Sequence, residues 1–100
     1  MFNSQLTTSQ VKNIFVKTGK IHQKVIQDIL PQLTEGQPLI DIAKLIENSI
    51  HQHTKFDSSP EHRLDKGIGF PVGLSINECA AHWTPNPLDT KICLGKDDLI

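Results

Sequence analysis

The sequence predicts an α+β fold, a helical hairpin followed by short antiparallel strands, and two patterns predict it. Apolar residues recur at three- and four-residue spacing through the first half, and at two-residue spacing in a short stretch of the second. Breakers separate the patterns, so the chain reads as one domain in three parts. These are a helical hairpin over about 8–53, a loop over 54–66 and a loop-and-strand region over 67–100.

The first helix has N-cap candidates in Thr7, Thr8 and Ser9, whose side-chain oxygens suit unpaired backbone N–H groups. Val11, Ile14, Phe15, Thr18, Ile21, Val25, Ile29 and Leu33 then recur at helical spacing, with lysines and glutamines between them. That spacing predicts one buried face. Gly19 interrupts it at a cost of about 1 kcal/mol relative to alanine, a cost that close packing against a neighbour would explain. Pro31 and the run Thr34-Glu35-Gly36-Gln37-Pro38 end the element. A second helix begins at Pro38 or Leu39, with Leu39, Ile42, Ala43, Ile46 and Ile50 on one face. The connection is short, which predicts that the two helices pack against each other as an antiparallel pair.

Residues 56–66 are polar and broken by Pro60, which reads as a surface loop, with Asp57, Glu61 and Asp65 as solvated charges. Beyond it, Phe70-Pro71 and Gly73 hold the chain extended or turned. Leu74, Ile76 and Glu78 alternate with Ser75 and Asn77, predicting a half-buried strand. Lys91–Leu94 predicts a second short strand between the turns at 87–90 and 95–98.

Composition excludes several classes of function. The 100 residues carry a net charge of −1, which argues against nucleic acid or an anionic membrane as the main partner. No apolar run approaches the roughly 20 residues that span a bilayer, and the first residues lack the basic start and apolar block of a signal peptide. A cytoplasmic location is the expectation. The two cysteines, Cys79 and Cys93, are too few for a disulfide framework and read as reduced thiols.

Metal readings of His51 and His53 with Glu47 and Cys79 fail, because histidines two apart on a helix point in different directions. Both read as solvated residues at a helix C-terminus, where positive charge is mildly favoured. Cys79-x-x-His82 has no matching second half for a zinc knuckle. The spacing of Gly67, Gly69 and Gly73 misses the dinucleotide fingerprint. His82 stands where the alternating stretch gives way to a loop bounded by Pro85. Two readings stay open for it, a ring that bonds a backbone carbonyl or a ring that meets a substrate. Phe70 likewise reads as core packing or as the wall of an apolar pocket.

Phe70-Pro71, Leu74-Ser75-Ile76-Asn77, Cys79-Ala80-Ala81-His82 and Thr84-Pro85-Asn86 together form a long ungapped pattern. It resembles the entry to the catalytic domain of the methionine aminopeptidases, in their type 2 branch, with Trp83 standing where tyrosine is common. Gly19-Lys20-Ile21 and Leu39–Ala43 resemble the same family's first helices, so the resemblance extends from about Val11 to Ile100. It implies the N-terminal part of a pita-bread, creatinase/aminopeptidase-like fold, hence a single incomplete domain. It also implies a metallo-aminopeptidase that removes the initiator methionine from nascent proteins. Two divalent ions (Co, Mn, Fe or Zn) would activate water in the full-length enzyme.

By the same resemblance His82 contacts the bound substrate and stabilises the tetrahedral species, and Phe70 lines the methionine pocket. Asn77, Cys79 and Trp83 match the pattern without a catalytic role. None of the aspartates here matches a family metal ligand. The expectation is therefore no metal site in this chain and no activity of the chain alone. The expected partner is the N-terminal methionine of nascent peptides, and the resemblance also admits association with ribosomes. A different class of function is a non-enzymatic pita-bread-fold module that binds proteins or ribosomes. Taken alone, such strands would leave an unpaired edge and an uncovered apolar face, which predicts low stability.

Overall fold

The structure, a computed structural model, describes residues 5–56, 58–61 and 66–100. Two helices dominate it, α1 over Thr8–Ile29 and α2 over Leu39–Thr54, with one turn of 3-10 helix at Leu30–Gln32 after α1. The expected charges Asp57 and Asp65 lie outside the described residues. No described helix is long and apolar enough to cross a membrane.

Thr7 caps α1 in a reciprocal box. Its Oγ1 accepts the Gln10 N–H at 3.1 Å, and the Gln10 side chain accepts the Thr7 N–H at 2.8 Å. The burial of α1 is less than its periodicity predicts. Only Val25 and Ile29 are buried, whereas Val11, Ile14 and Phe15 are exposed. Burial falls on the last turns of α1, and among the described residues none buries the apolar side chains of its first turns. Gly19 has no neighbour within 4 Å of the place a Cβ would occupy. The close packing its presence suggested is absent, and the residue simply weakens the helix.

Helix α2 ends in a left-handed residue, Lys55 (φ 56°), and its last carbonyls are satisfied in Schellman fashion. The Lys55 N–H bonds the Gln52 carbonyl at 3.3 Å, and the Phe56 N–H bonds the His51 carbonyl at 3.0 Å. The two histidines expected to be solvated both have partners. His51 stacks on Phe56 with centroids 4.4 Å apart, and His53 is paired with Asp28 of α1.

The core is small and joins the two halves of the chain. Leu39, Ile42 and Ala43 of α2 and Leu74 of the C-terminal half are its buried members. Leu33, Ile46, Val72, Ile76, Trp83 and Leu94 pack around them. Backbone bonds reinforce the junction, from Gly36 N–H to Leu94 O (2.7 Å), Leu94 N–H to Gln37 O (2.8 Å) and Leu39 N–H to Ile92 O (2.8 Å).

The expected antiparallel strands do not form, which overturns the α+β, sheet-containing class predicted above. Among the described residues there is no named strand, and pairing is limited to one isolated antiparallel bridge between Pro38 and Cys93. The predicted strand at 74–78 is tied by backbone bonds to two different segments, Asn77 N–H to Leu99 O at 2.8 Å and Leu74 N–H to Trp83 O at 2.9 Å, and to neither in succession. A ladder needs consecutive donors and acceptors on a neighbour. Here Asn77 (φ 55°) and His82 (φ 64°) turn the chain into the left-handed region within a few residues of those bonds. The described architecture is a pair of helices with an extended, turn-rich segment laid over one end of α2.

Candidate functional site

The segment from Gly67 to Asn86 is held against the helices at a few fixed points. Gly67 lies at φ 121°, and a Cβ there would sit 2.8 Å from Cδ1 of Phe56, so only glycine fits. Phe70 follows with its ring 72% exposed, lining a groove of about 1030 Å³ between α1, α2 and the 66–74 stretch. It is not a core residue. Leu74, buried in the cluster on α2, is the next anchor.

Asn77 is the third anchor, held through its backbone N–H and both polar atoms of its side-chain amide. Its N–H bonds the Leu99 carbonyl at 2.8 Å, and its Oδ1 accepts the Leu99 N–H at 3.1 Å. Its Nδ2 donates to Oδ1 of Asp98 at 2.9 Å. Oδ2 of Asp98 accepts the Gly95 N–H at 2.7 Å. These bonds, the Asn77 amide first, hold the Asp98 carboxyl below its ordinary value. Asparagine tolerates the left-handed backbone of a turn and bonds locally, which suits this corner. The Cys79 N–H closes the turn on Ile76 O at 3.1 Å.

His82 sits between the turn at 76–79 and Trp83. The Trp83 ring packs on the core and its carbonyl takes the Leu74 N–H, so the residue after His82 is fixed. His82 itself is exposed, in a left-handed backbone conformation that a residue with a Cβ rarely adopts. Cys79 and Cys93 are free thiols. Phe70 lines the groove and His82 does not, so the described structure does not bring the two sequence-predicted site residues into one cavity.

One cluster escaped the sequence reading altogether. Oδ2 of Asp28 accepts the Ser49 hydroxyl at 3.2 Å and lies 2.5 Å from Nε2 of His53. The three residue types resemble a catalytic triad, but the serine donates to the carboxylate and not to the imidazole. The arrangement therefore has no base poised on the hydroxyl. It ties α1 to α2. The His53 hydrogen bond, ahead of that from Ser49, keeps the Asp28 carboxyl below its ordinary value despite some desolvation. Separations of 21 and 25 residues left no local signal for it.

Among the described residues no group of three His, Cys, Asp or Glu side chains is placed to hold a metal ion. The residues present do not fit the two-metal centre that the resemblance implies, and no step through metals is assigned to them.

No family model matches the chain. It is similar to methionine aminopeptidase 2 of Lodderomyces elongisporus, 46% identical over 86 residues, which cover 86% of this chain and 17% of that protein. It is 39% identical over 109 residues to methionine aminopeptidase 2 of Candida albicans, covering 98% of this chain and 23% of the relative. A Saccharomyces cerevisiae methionine aminopeptidase 2 is 40% identical over 83 residues, covering 81% of this chain and 20% of the relative. The chain thus spans about a fifth of the length of these curated relatives. Identity runs through most of its residues, so the chain is homologous to one segment of the methionine aminopeptidase 2 proteins.

Proposed function

We propose that this chain supplies the substrate-facing segment of a methionine aminopeptidase acting on the N-terminal methionine of nascent peptides in the cytoplasm. The observation that carries the reading is His82. It lies in the Cys79-Ala80-Ala81-His82 run, its backbone is left-handed just before the anchored Trp83, and the residue is exposed. Strain of this kind is kept where the surroundings over-determine it, and it clusters at functional sites. No described residue bonds the ring, so the alternative of a histidine that bonds a backbone carbonyl has no support here.

In this reading the His82 ring donates a hydrogen bond to the scissile carbonyl oxygen as that oxygen gains charge. Such a bond matters more in the transition state than in the ground state. Phe70 offers an aromatic face to the methionine thioether, a soft group that packs well on a ring. Divalent metals, when bound in the complete enzyme, polarise the carbonyl and activate water.

The test is a chimera in which this chain replaces the matching 86 residues of the Lodderomyces relative. In it, His82→Ala lowers turnover of a Met-Ala peptide by ~10²-fold while metal content is unchanged, the scale of losing one transition-state donor. Phe70→Ala raises KM more than it lowers kcat. Full turnover by His82→Ala refutes the assignment.

A further inference from the structure

We propose that Asn77 and Asp98 are positioning residues for His82, their side chains tying the loop at 74–83 to the turn at 95–98 so that the His82 ring is held where substrate meets it. The inference rests on the role given to His82 above.

Three observations carry it. The first is the course of the loop. Leu74 N–H to Trp83 O closes its base at 2.9 Å, and Cys79 N–H to Ile76 O closes a turn within it at 3.1 Å. Ala80, Ala81 and His82 span the gap between that turn and Trp83, and among the described residues their N–H groups make no backbone bond. Their path is therefore set by the two ends of the span. Trp83 is fixed at one end by its packing on the core. The other end is the turn that contains Asn77.

The second observation is what holds that turn. Asn77 N–H bonds the Leu99 carbonyl, and Asn77 Oδ1 takes the Leu99 N–H in return. The side-chain amide thus does for Leu99 what the carbonyl of a neighbouring strand would do. Asn77 Nδ2 donates to Asp98 Oδ1, and Asp98 Oδ2 takes the Gly95 N–H. Each carboxylate oxygen of Asp98 faces a different donor, and the charge strengthens both bonds. The residue types are not interchangeable one at a time, because a carboxylate at 77 or an amide at 98 sets like groups face to face.

The third is backbone strain. Asn77 lies at φ 55° and His82 at φ 64°. Asparagine reaches the left-handed region with help from its own side chain. His82 has no printed partner of that kind among the described residues, and such a conformation persists only where its surroundings over-determine it. Freeing the Asn77 end of the span lets His82 return to an ordinary backbone angle, which swings its ring away.

The experiment exchanges the two side chains. Asn77→Asp alone sets two carboxylates against each other where a 2.9 Å hydrogen bond stood. Asp98→Asn alone leaves one acceptor oxygen for two donors. Combining Asn77→Asp with Asp98→Asn restores every bond, since the carboxylate now at 77 accepts from Leu99 and from the amide now at 98, whose oxygen takes the Gly95 N–H. In the chimera with the Lodderomyces relative, each single substitution lowers kcat for a Met-Ala peptide ~10-fold or more, as displacing a reacting group does. KM and metal content stay unchanged. The combined variant returns to within ~3-fold of the parent. In a His82→Ala background the same substitutions change kcat less than ~2-fold, because nothing remains for them to position. Asp97→Asn, at an exposed neighbour, is the control and leaves turnover as it was. In the full 100-residue chain, the strong amide-to-Hα nuclear Overhauser effect of a left-handed residue marks His82, is lost in Asn77→Asp and returns in the combined variant.

A combined variant as slow as the single ones overturns the proposal. So does a loss of equal size in the His82→Ala background, which would make the pair a tie between segments and nothing more. Single substitutions with full kcat, where His82→Ala is slow, overturn it and leave the reading of His82 standing. Full turnover by His82→Ala sinks that reading instead, and the Overhauser signal then decides separately whether the pair sets the His82 backbone.

Discussion

Leu39→Ala tests whether the helices and the C-terminal segment share a single core. Leu39 is the first residue of α2 and is fully buried, at 0% exposure. It touches the cluster that contains Leu74 and the ring of Trp83 from the other half of the chain. Truncation removes about three methylene equivalents, worth ~0.8 kcal/mol each on transfer, or ~2.5 kcal/mol. The cavity left among Ile42, Ala43 and Leu74 brings the expected cost to ~3–4 kcal/mol. Domains are stable by only about 5–15 kcal/mol, and a chain with so few buried side chains belongs at the low end. The variant should therefore melt roughly 12–25 °C lower.

Two probes read the same urea titration. Far-UV circular dichroism follows α1 and α2, and the fluorescence of Trp83, the single tryptophan, follows the packed segment. Both midpoints should fall together. Leu88→Ala is the control, the same chemistry at a side chain 91% exposed, and should change stability by less than ~0.5 kcal/mol. A cost below ~1 kcal/mol for Leu39→Ala would refute the packing derived for this core. A tryptophan transition that shifts while the helical one stays put would show that the two halves do not fold as a unit.

Two glycine substitutions should have opposite signs. Gly19→Ala, in open space within α1, should stabilise by ~1 kcal/mol. Gly67→Ala should destabilise by at least ~1 kcal/mol, because φ is 121° and Phe56 stands 2.8 Å from the new carbon. Urea midpoints measure both, and a neutral Gly67→Ala would contradict the contact with Phe56. The tie between the helices predicts a pH dependence. The Asp28 carboxyl is held below its ordinary value of 3.8 by His53 and Ser49. Its contribution is therefore fully present above 3.8 and is lost as pH falls through the depressed value. Between pH 5 and pH 3 the native chain should lose more stability than Asp28→Asn, and parallel losses would exclude the tie.

Much of the helical half was legible because its signals are local. Thr7 is one residue from the helix it caps, Pro38 and Leu39 open α2 where proline suits a first turn, and the apolar spacing repeats within each helix. In the C-terminal half the alternation located the inward side chains. Leu74 and Ile76 face the core, whereas Glu78, the third residue of that alternation, is exposed in the turn. It could not supply a partner, and a strand is a property of two segments. For the candidate site the sequence named positions, and their roles rest on the resemblance. The run around His82 marked a residue that the structure leaves exposed and conformationally constrained, while Phe70 reads differently on a groove than in a core.

The sequence by itself determined the two helices, the turns and the family relation, all of which depend on neighbours within a few positions or on identity along the chain. Tertiary structure alone decided which half of α1 is covered, because periodicity states that a helix has an apolar face but not how far its neighbour reaches. It also decided that Asp28 meets Ser49 and His53, and that Asn77 binds Asp98 and Leu99. Those contacts join residues about 20 to 25 positions apart, a distance over which composition and spacing carry no geometric information. The same physics explains the missing sheet, since hydrogen-bonding partners across a ladder are chosen in space and not along the chain.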